Sequence, residues 1–183
     1  MKSGIIKYLL LTFALTVIVL SWLIDTDWEV SHTIDIEAKP STVWDLLVNL
    51  DGYPQWNRYS PTVTGILAEG EVLVVEAHLD DEVRYVKSLV LSVKPEQELC
   101  WDTYRWFKFL ANGKRCRWLS VTANGGSQLI HHEVMQGPLA WLIERLYHER
   151  IKRGLAIANS SLAAAARKDT LRDTDKSYRL EVN

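Results

Sequence analysis

Cysteine is scarce. The 183 residues hold two, Cys100 and Cys116. Two are too few for a disulfide-built scaffold, and neither CxxC nor a Cys/His metal-ligand spacing exists. The pair reads either as two buried thiols or, if the domain faces an oxidising compartment, as one bond across neighbouring strands. A basic excess is also missing. Lys and Arg total 21 against 23 Asp and Glu, a net charge of -2. That balance gives no electrostatic case for a nucleic-acid partner, which needs a basic face. P-loop, dinucleotide fingerprint, nucleophile elbow and zinc motif are all absent. Their absence counts against an NTPase, a nucleotide-dependent redox enzyme and a hydrolase, and no metal or cofactor is expected.

Aromatic residues, by contrast, are plentiful. Eight Trp and seven Tyr stand in a chain that is 48% apolar and 24% charged. Such side chains bury much area each, enough for a sizeable core or an aromatic-lined cavity.

Residues Tyr8 to Ile24 read YLLLTFALTVIVLSWLI, without one charge. Adding Ile5 and Ile6, with Lys7 snorkelling, gives about 20 residues, which at ~1.5 Å each span a hydrocarbon core of about 30 Å. Trp22 falls where an interfacial Trp is expected. The exit Ser-Trp-Leu-Ile-Asp is a poor cleavage site, so residues 1–26 read as an uncleaved transmembrane anchor. Lys2 and Lys7 precede it; Asp25, Asp27 and Glu29 follow. The expected arrangement is a single-pass protein with a cytoplasmic N-terminus and its domain on the non-cytoplasmic side.

Trp28 to Glu37 alternates, with Trp28, Val30, His32, Ile34 and Ile36 on one face, which is a half-buried strand. Pro40 and Ser41 open a helix, with Ser41 a plausible N-cap and Val43, Trp44, Leu46 and Leu47 its apolar stripe. Asp51 to Trp56 is a turn that returns Tyr53 and Trp56 to the core. Six strands are then expected, over 61–67, 71–79, 83–93, 98–106, 114–122 and 127–135. Turn signals separate them without intervening helices, which makes an antiparallel meander. After Gly137-Pro138 a long helix carries an apolar stripe from Leu139 through Leu142, Leu146, Ile151, Leu155 and Leu162 to Ala166. Residues 167–183 are charged and aperiodic, and are expected to be disordered. The fold class is α+β: a curved antiparallel sheet of about seven strands around a long C-terminal helix, over 27–166.

Several segments carry a resemblance. Ile34 to Trp44 (IDIEAKPSTVW) runs into Leu50 to Asn57 (LDGYPQWN), like a strand followed by "A-P-x-x-V-W" and "D-x-Y-P-x-W-N". Glu98-Leu-Cys-Trp101 resembles an "E-L-x-W" strand. Gly125 to Glu133 (GGSQLIHHE) resembles "G-G-T-x-L-x-H-x-E". In this order they are similar to the START-like, helix-grip superfamily (SRPBCC), which includes polyketide cyclases/dehydrases, lipid-transport proteins and plant pollen-allergen-type proteins. The resemblance implies a cavity between sheet and long helix that holds a lipid or other hydrophobic small molecule, or a cyclase or dehydratase acting on a lipophilic intermediate. Its motifs specify the fold and leave the reaction open.

Tyr53, Trp56, Trp101, His131 and Glu133 are the candidate ligand-binding residues. His131 and His132 point to opposite faces of a strand and cannot share a metal from it. His131 and Glu133 share a face, where they make either a general acid–base pair in a cavity, the carboxylate raising the imidazole pKa, or a solvated polar pair. Leu129 and Met135 draw that face inward, Ile130 and Val134 the other. Arg115 and Arg117 read as a solvated face, with an anchor for an anionic group as the alternative. Trp106, Phe107 and Phe109 form an apolar tip that covers the cavity mouth or dips into a membrane. The sequon Asn159-Ser-Ser161 lies on a predicted helix and is discounted.

Overall fold

In a computed structural model, residues 2–21 and 26–181 are described, with 173–181 as backbone. The elements run α1 (Lys2–Ser21), β1 (Trp28–Ile36), α2 (Pro40–Val48), a 3-10 turn (Leu50–Gly52) and α3 (Tyr53–Trp56). Then follow β2 (Val63–Thr64), β3 (Val72–Leu79), β4 (Glu82–Lys94), β5 (Glu98–Thr103), β6 (Asn112–Val121), β7 (Ser127–Gln136) and α4 (Ala140–Glu181). The strands form one antiparallel sheet in the order β1-β7-β6-β5-β4-β3-β2. A register shift between Val90 and Ser92 breaks the β4–β5 ladder, and such bulges bend a sheet.

Strand parity now has a direction. Leu129, His131, Glu133 and Met135 of β7 face α4 with Leu99 and Trp101 of β5, and all six are buried. One buried cluster joins Val43, Leu47, Tyr53 and Leu129 to Leu162 and Ala166, from the later turns of α4. A second joins Trp28, Val30, Leu79 and Met135 to Ile151 and Leu155, from its earlier turns. A straight helix cannot follow a bent sheet everywhere, and the second cluster borders the gap that results.

Several expectations are corrected. The cap of α2 is Lys39, with no side-chain cap bond, and Pro40 takes the first turn in place of the Ser41 cap. β2 stops at Thr64, because Gly65 turns the chain at φ 125° and an added Cβ there would lie 2.7 Å from the Val72 carbonyl oxygen. β5 stops at Thr103, where the 104–111 loop begins with Lys108 N donating to Arg105 O. Leu142 and Leu146, assigned to the buried stripe of α4, are exposed. Residues 167–181, expected to be disordered, continue α4. They contain neither Pro nor Gly, and Arg172 pairs with Asp169 one turn away at 3.1 Å.

The N-terminal segment is helical over Lys2–Ser21, with Leu9, Leu10, Phe13 and Val19 exposed. Among the described residues no helix is long and apolar enough to cross a membrane. The expected span runs on to Ile24, and Trp22, Ile24 and Asp25 lie outside the described residues.

Candidate functional site

Between α4 and the β3–β7 part of the sheet lies a cavity of about 590 Å³. Its walls are apolar, formed by Ala77, Leu79, Val86, Met135, Ile143 and Ile151. One patch is polar, where Tyr59, Arg115 and Glu133 reach the lining. A smaller pocket of about 80 Å³ shares Arg115 and Glu133 and adds Trp101 and Ser88. The rim is built from exposed side chains: Arg84, Tyr85, Lys87, Tyr104 and Arg105.

The polar patch is a cross-strand device. Arg115 and Glu133 sit directly opposite in the β6–β7 ladder. The Arg115 Nε donates to Glu133 Oε2 at 2.8 Å, and its Nη2 donates to the same oxygen. The Nη2 also donates to the Tyr59 hydroxyl at 3.1 Å. Burial alone would push the Arg115 guanidinium down, but Glu133 and Tyr59 more than offset it and hold the group above its ordinary value. Burial pushes the Tyr59 phenol up, with Arg115 offsetting part of the shift. Tyr59 reaches this place because α4 carries Gly154, where an added Cβ would lie 2.2 Å from the Tyr59 ring. A glycine inside a helix costs about 1 kcal/mol against alanine; here it admits the ring.

A second layer lies deeper. Arg117 and His131 are also directly opposite in the ladder, and both are buried. The Arg117 guanidinium lies 4.5 Å from the Trp101 ring centroid, a cation–π contact. The Asn159 Nδ2 donates to the His32 carbonyl oxygen at 2.9 Å, which turns its Oδ1 toward His131 Nδ1 at 3.1 Å. His131 therefore carries its proton on Nδ1 and its lone pair on Nε2. Neither His131 Nε2 nor Arg117 Nη1 has a hydrogen-bond partner among the described residues. Burial, then the charges of Arg117 and Arg115, push the His131 imidazole well below its ordinary value. The expected raising by Glu133 is thus corrected: that carboxylate is taken by Arg115, and two cations face the ring.

This has a measurable consequence. The unfolded chain protonates His131 near its ordinary value of 6.5, the folded one only well below it. Between the two, the unfolded state binds the extra proton, so stability falls as pH falls. The slope is up to about 1.4 kcal/mol per pH unit from this one group. Urea midpoints measured across this range should fall less steeply for His131→Gln than for the parent; parallel curves would contradict the assignment.

Of the five candidate residues, Glu133 lines both cavities and Trp101 the smaller one. His131 lies behind them, against Asn159 of α4. Tyr53 is fully buried in the core, its hydroxyl donating to the Leu47 carbonyl oxygen at 2.7 Å. Trp56 lines a separate groove between α2 and α4. His132, on the other face, contacts Glu29 at 3.2 Å and stacks with Trp118. Arg115 and Arg117 are not on a solvated face: Leu119, buried on the same side of β6, carries the signal that would have placed them inward. Asn159 is buried at 1% exposure and bonded to two histidines, so the sequon has a structural role. Tyr59 had no signal in its local pattern. Among the described residues no group of three His, Cys, Asp or Glu side chains is placed to hold a metal. Cys100 and Cys116 pair in the β5–β6 ladder and form a disulfide.

A bent antiparallel sheet gripping a C-terminal helix, with a mainly apolar cavity between them, defines a helix-grip protein of the START-like class. Residues 27–167 match the family described as polyketide cyclase/dehydrase and lipid transport, and the chain belongs to that family. No curated protein matches it in sequence. Solved structures share the fold at low identity. A Staphylococcus aureus protein of unknown function, SA2116, superposes with TM-score 0.63 at 12% identity, over 81% of this chain and 99% of that one. The Zhui aromatase/cyclase from Streptomyces sp. R1128 superposes with TM-score 0.60 at 16% identity, over 78% and 95%. The di-domain aromatase/cyclase StfQ of the steffimycin biosynthetic pathway superposes with TM-score 0.61 at 13% identity, over 79% and 52%.

Proposed function

We propose that the domain binds a hydrophobic small molecule or lipid in the cavity between sheet and α4, its polar end at Arg115, Glu133 and Tyr59. The observation that carries this reading is the cavity itself. At about 590 Å³ it falls within the size of small-molecule sites, roughly 300–1,000 Å³, and it pairs apolar walls with a few convergent polar groups. We further propose that α1, with the residues after it, holds the protein to a membrane. The exposed apolar side chains of α1 support that reading. Lys2 and Lys7 support a cytoplasmic N-terminus, and the Cys100–Cys116 disulfide supports a domain on the oxidising, non-cytoplasmic side.

The test is a probe titration on the full chain. Ala77→Phe places a ring in the wall that the two cavities share. An anthroyloxy fatty acid should bind this variant about tenfold more weakly, because contact area near 25 cal/mol per Å² is lost. Native mass spectrometry of the parent should show co-purified lipid. Equal probe affinity in parent and variant, with the far-ultraviolet spectrum unchanged, would exclude the cavity as the site.

A second reading, a cyclase or dehydratase acting on a lipophilic intermediate, is favoured by one observation. The Glu133 carboxylate faces the cavity within a charged patch, where a proton-transfer group would have to stand. Turnover of a polyketide-like substrate that survives Glu133→Gln unchanged would sink that role.

A further inference from the structure

Three segments meet at Gly137. The Thr26 hydroxyl donates to the Gly137 carbonyl oxygen at 2.8 Å, and the Gly137 amide donates to the Asp27 carboxylate at 3.0 Å. The Leu139 amide donates to the Leu110 carbonyl oxygen at 2.8 Å, tying the start of α4 to the end of the 104–111 loop. That loop supplies Tyr104 and Arg105 to the cavity rim, and the first turns of α4 supply Ile143 and Tyr147. The point where the N-terminal segment joins the domain is therefore the end at which the cavity opens. Only 22–25 separate Ser21, the last residue of α1, from Thr26, so α1 ends within roughly 18 Å of this junction.

The same end is apolar on the outside. Trp106 is 85% exposed and Phe109 54%. Leu142 and Leu146, one turn apart on the same face of α4, are exposed in the turns that follow the junction. Arg105 and Lys87 stand on the rim, where cationic groups meet lipid phosphates. Large apolar side chains with aromatic and basic neighbours are what an interfacial surface carries.

We propose that the cavity mouth faces the bilayer that α1 enters, with Trp106, Phe109, Leu142 and Leu146 seated in the headgroup layer. The ligand then exchanges between bilayer and cavity without crossing bulk water. This rests on reading α1 as a membrane segment, and the test separates the two. The full chain is reconstituted in vesicles of phosphatidylcholine and phosphatidylglycerol, with and without brominated phosphatidylcholine. Flotation reports membrane association; bromolipid quenching of Trp106, taken as the difference between the parent and Trp106→Phe, reports docking. The expected result is flotation, with clear loss of quenchable emission in Trp106→Phe. In Trp106→Asp with Phe109→Asp, transfer of an anthroyloxy fatty acid from vesicle to cavity should slow on the order of tenfold, with equilibrium occupancy unchanged. Flotation with equal quenching in parent and Trp106→Phe overturns the docking and leaves the anchor standing. Failure to float overturns both.

Discussion

Glu133→Ala should destabilise the domain by about 3–5 kcal/mol, because it leaves a buried charge without its counter-ion. The Arg115 side chain is 12% exposed and that of Glu133 8%. Arg117 lies one layer deeper at 3% exposure, and Arg115 and Arg117 already repel one another. Removing the carboxylate leaves two neighbouring guanidiniums with no acidic partner in the cavity wall. The double replacement Arg115→Met with Glu133→Leu removes both charges and keeps the volume, so it should lose far less than the single variant. Urea unfolding of the three proteins reads the difference. A single variant within about 1 kcal/mol of the parent would mean that the pair is solvated as a surface pair is.

The second large effect is expected from the disulfide. Cys100 and Cys116 are separated by 16 residues, and a bond closing a loop of that size contributes about 3 kcal/mol. Replacing both with alanine should lower Tm by roughly 6–12 °C in a domain of this size. Both cysteines are buried, at 4% and 3% exposure, and they point away from α4 with Asp102 and His132. Probe binding in the cavity should therefore survive the replacement. An unchanged Tm in the double-alanine protein would show that the strand pairing alone holds this part of the sheet.

Why the fold was legible and the site only partly so follows from what each residue reports. β1 could be read because Trp28, Val30 and Ile36 alternate with polar neighbours along one half-solvated sheet. Local pattern carries that information. β7 could be read as a strand, but Leu129 and Met135 on one face stand against Ile130 and Val134 on the other, and only the packing on α4 gives it a direction. β6 misleads the same reading. Its inward face carries Arg115 and Arg117 before Leu119, its outward face Cys116 and Trp118 between Lys114 and Ser120, so neither face reads as plainly apolar or polar. A pattern rule assigns arginines to water; Leu119 on the same side points them inward, and the partner strand, with Glu133 and His131 opposite, explains their burial. Glu133 was found because its strand was recognised, but its partner was expected to be His131, two residues away. The partner is Arg115, 18 residues away, since cross-strand neighbours are closer than same-face neighbours along a strand. Tyr59 and Asn159 reach the site through tertiary packing, from a loop and from the middle of α4, and nothing in their local sequence announces it. The end of α4 was misjudged differently: loss of an apolar stripe signals loss of packing, and a run without Gly or Pro can remain helical beyond it.

The Tyr59 ring against Gly154 also acts as a key in a slot. The face of α4 that meets the sheet is largely repetitive, with Leu155, Ala158, Leu162 and Ala166 in succession, and Asn159 among them bonded to His131 and the His32 carbonyl oxygen. A slip of one turn, about 5.4 Å, would bring Arg150 or Ala158 under the ring, and each carries the Cβ that Gly154 lacks. This glycine, together with the Asn159 bonds, thus selects one axial setting for a helix of 42 residues. It sets, with it, the length of the chamber that the helix roofs.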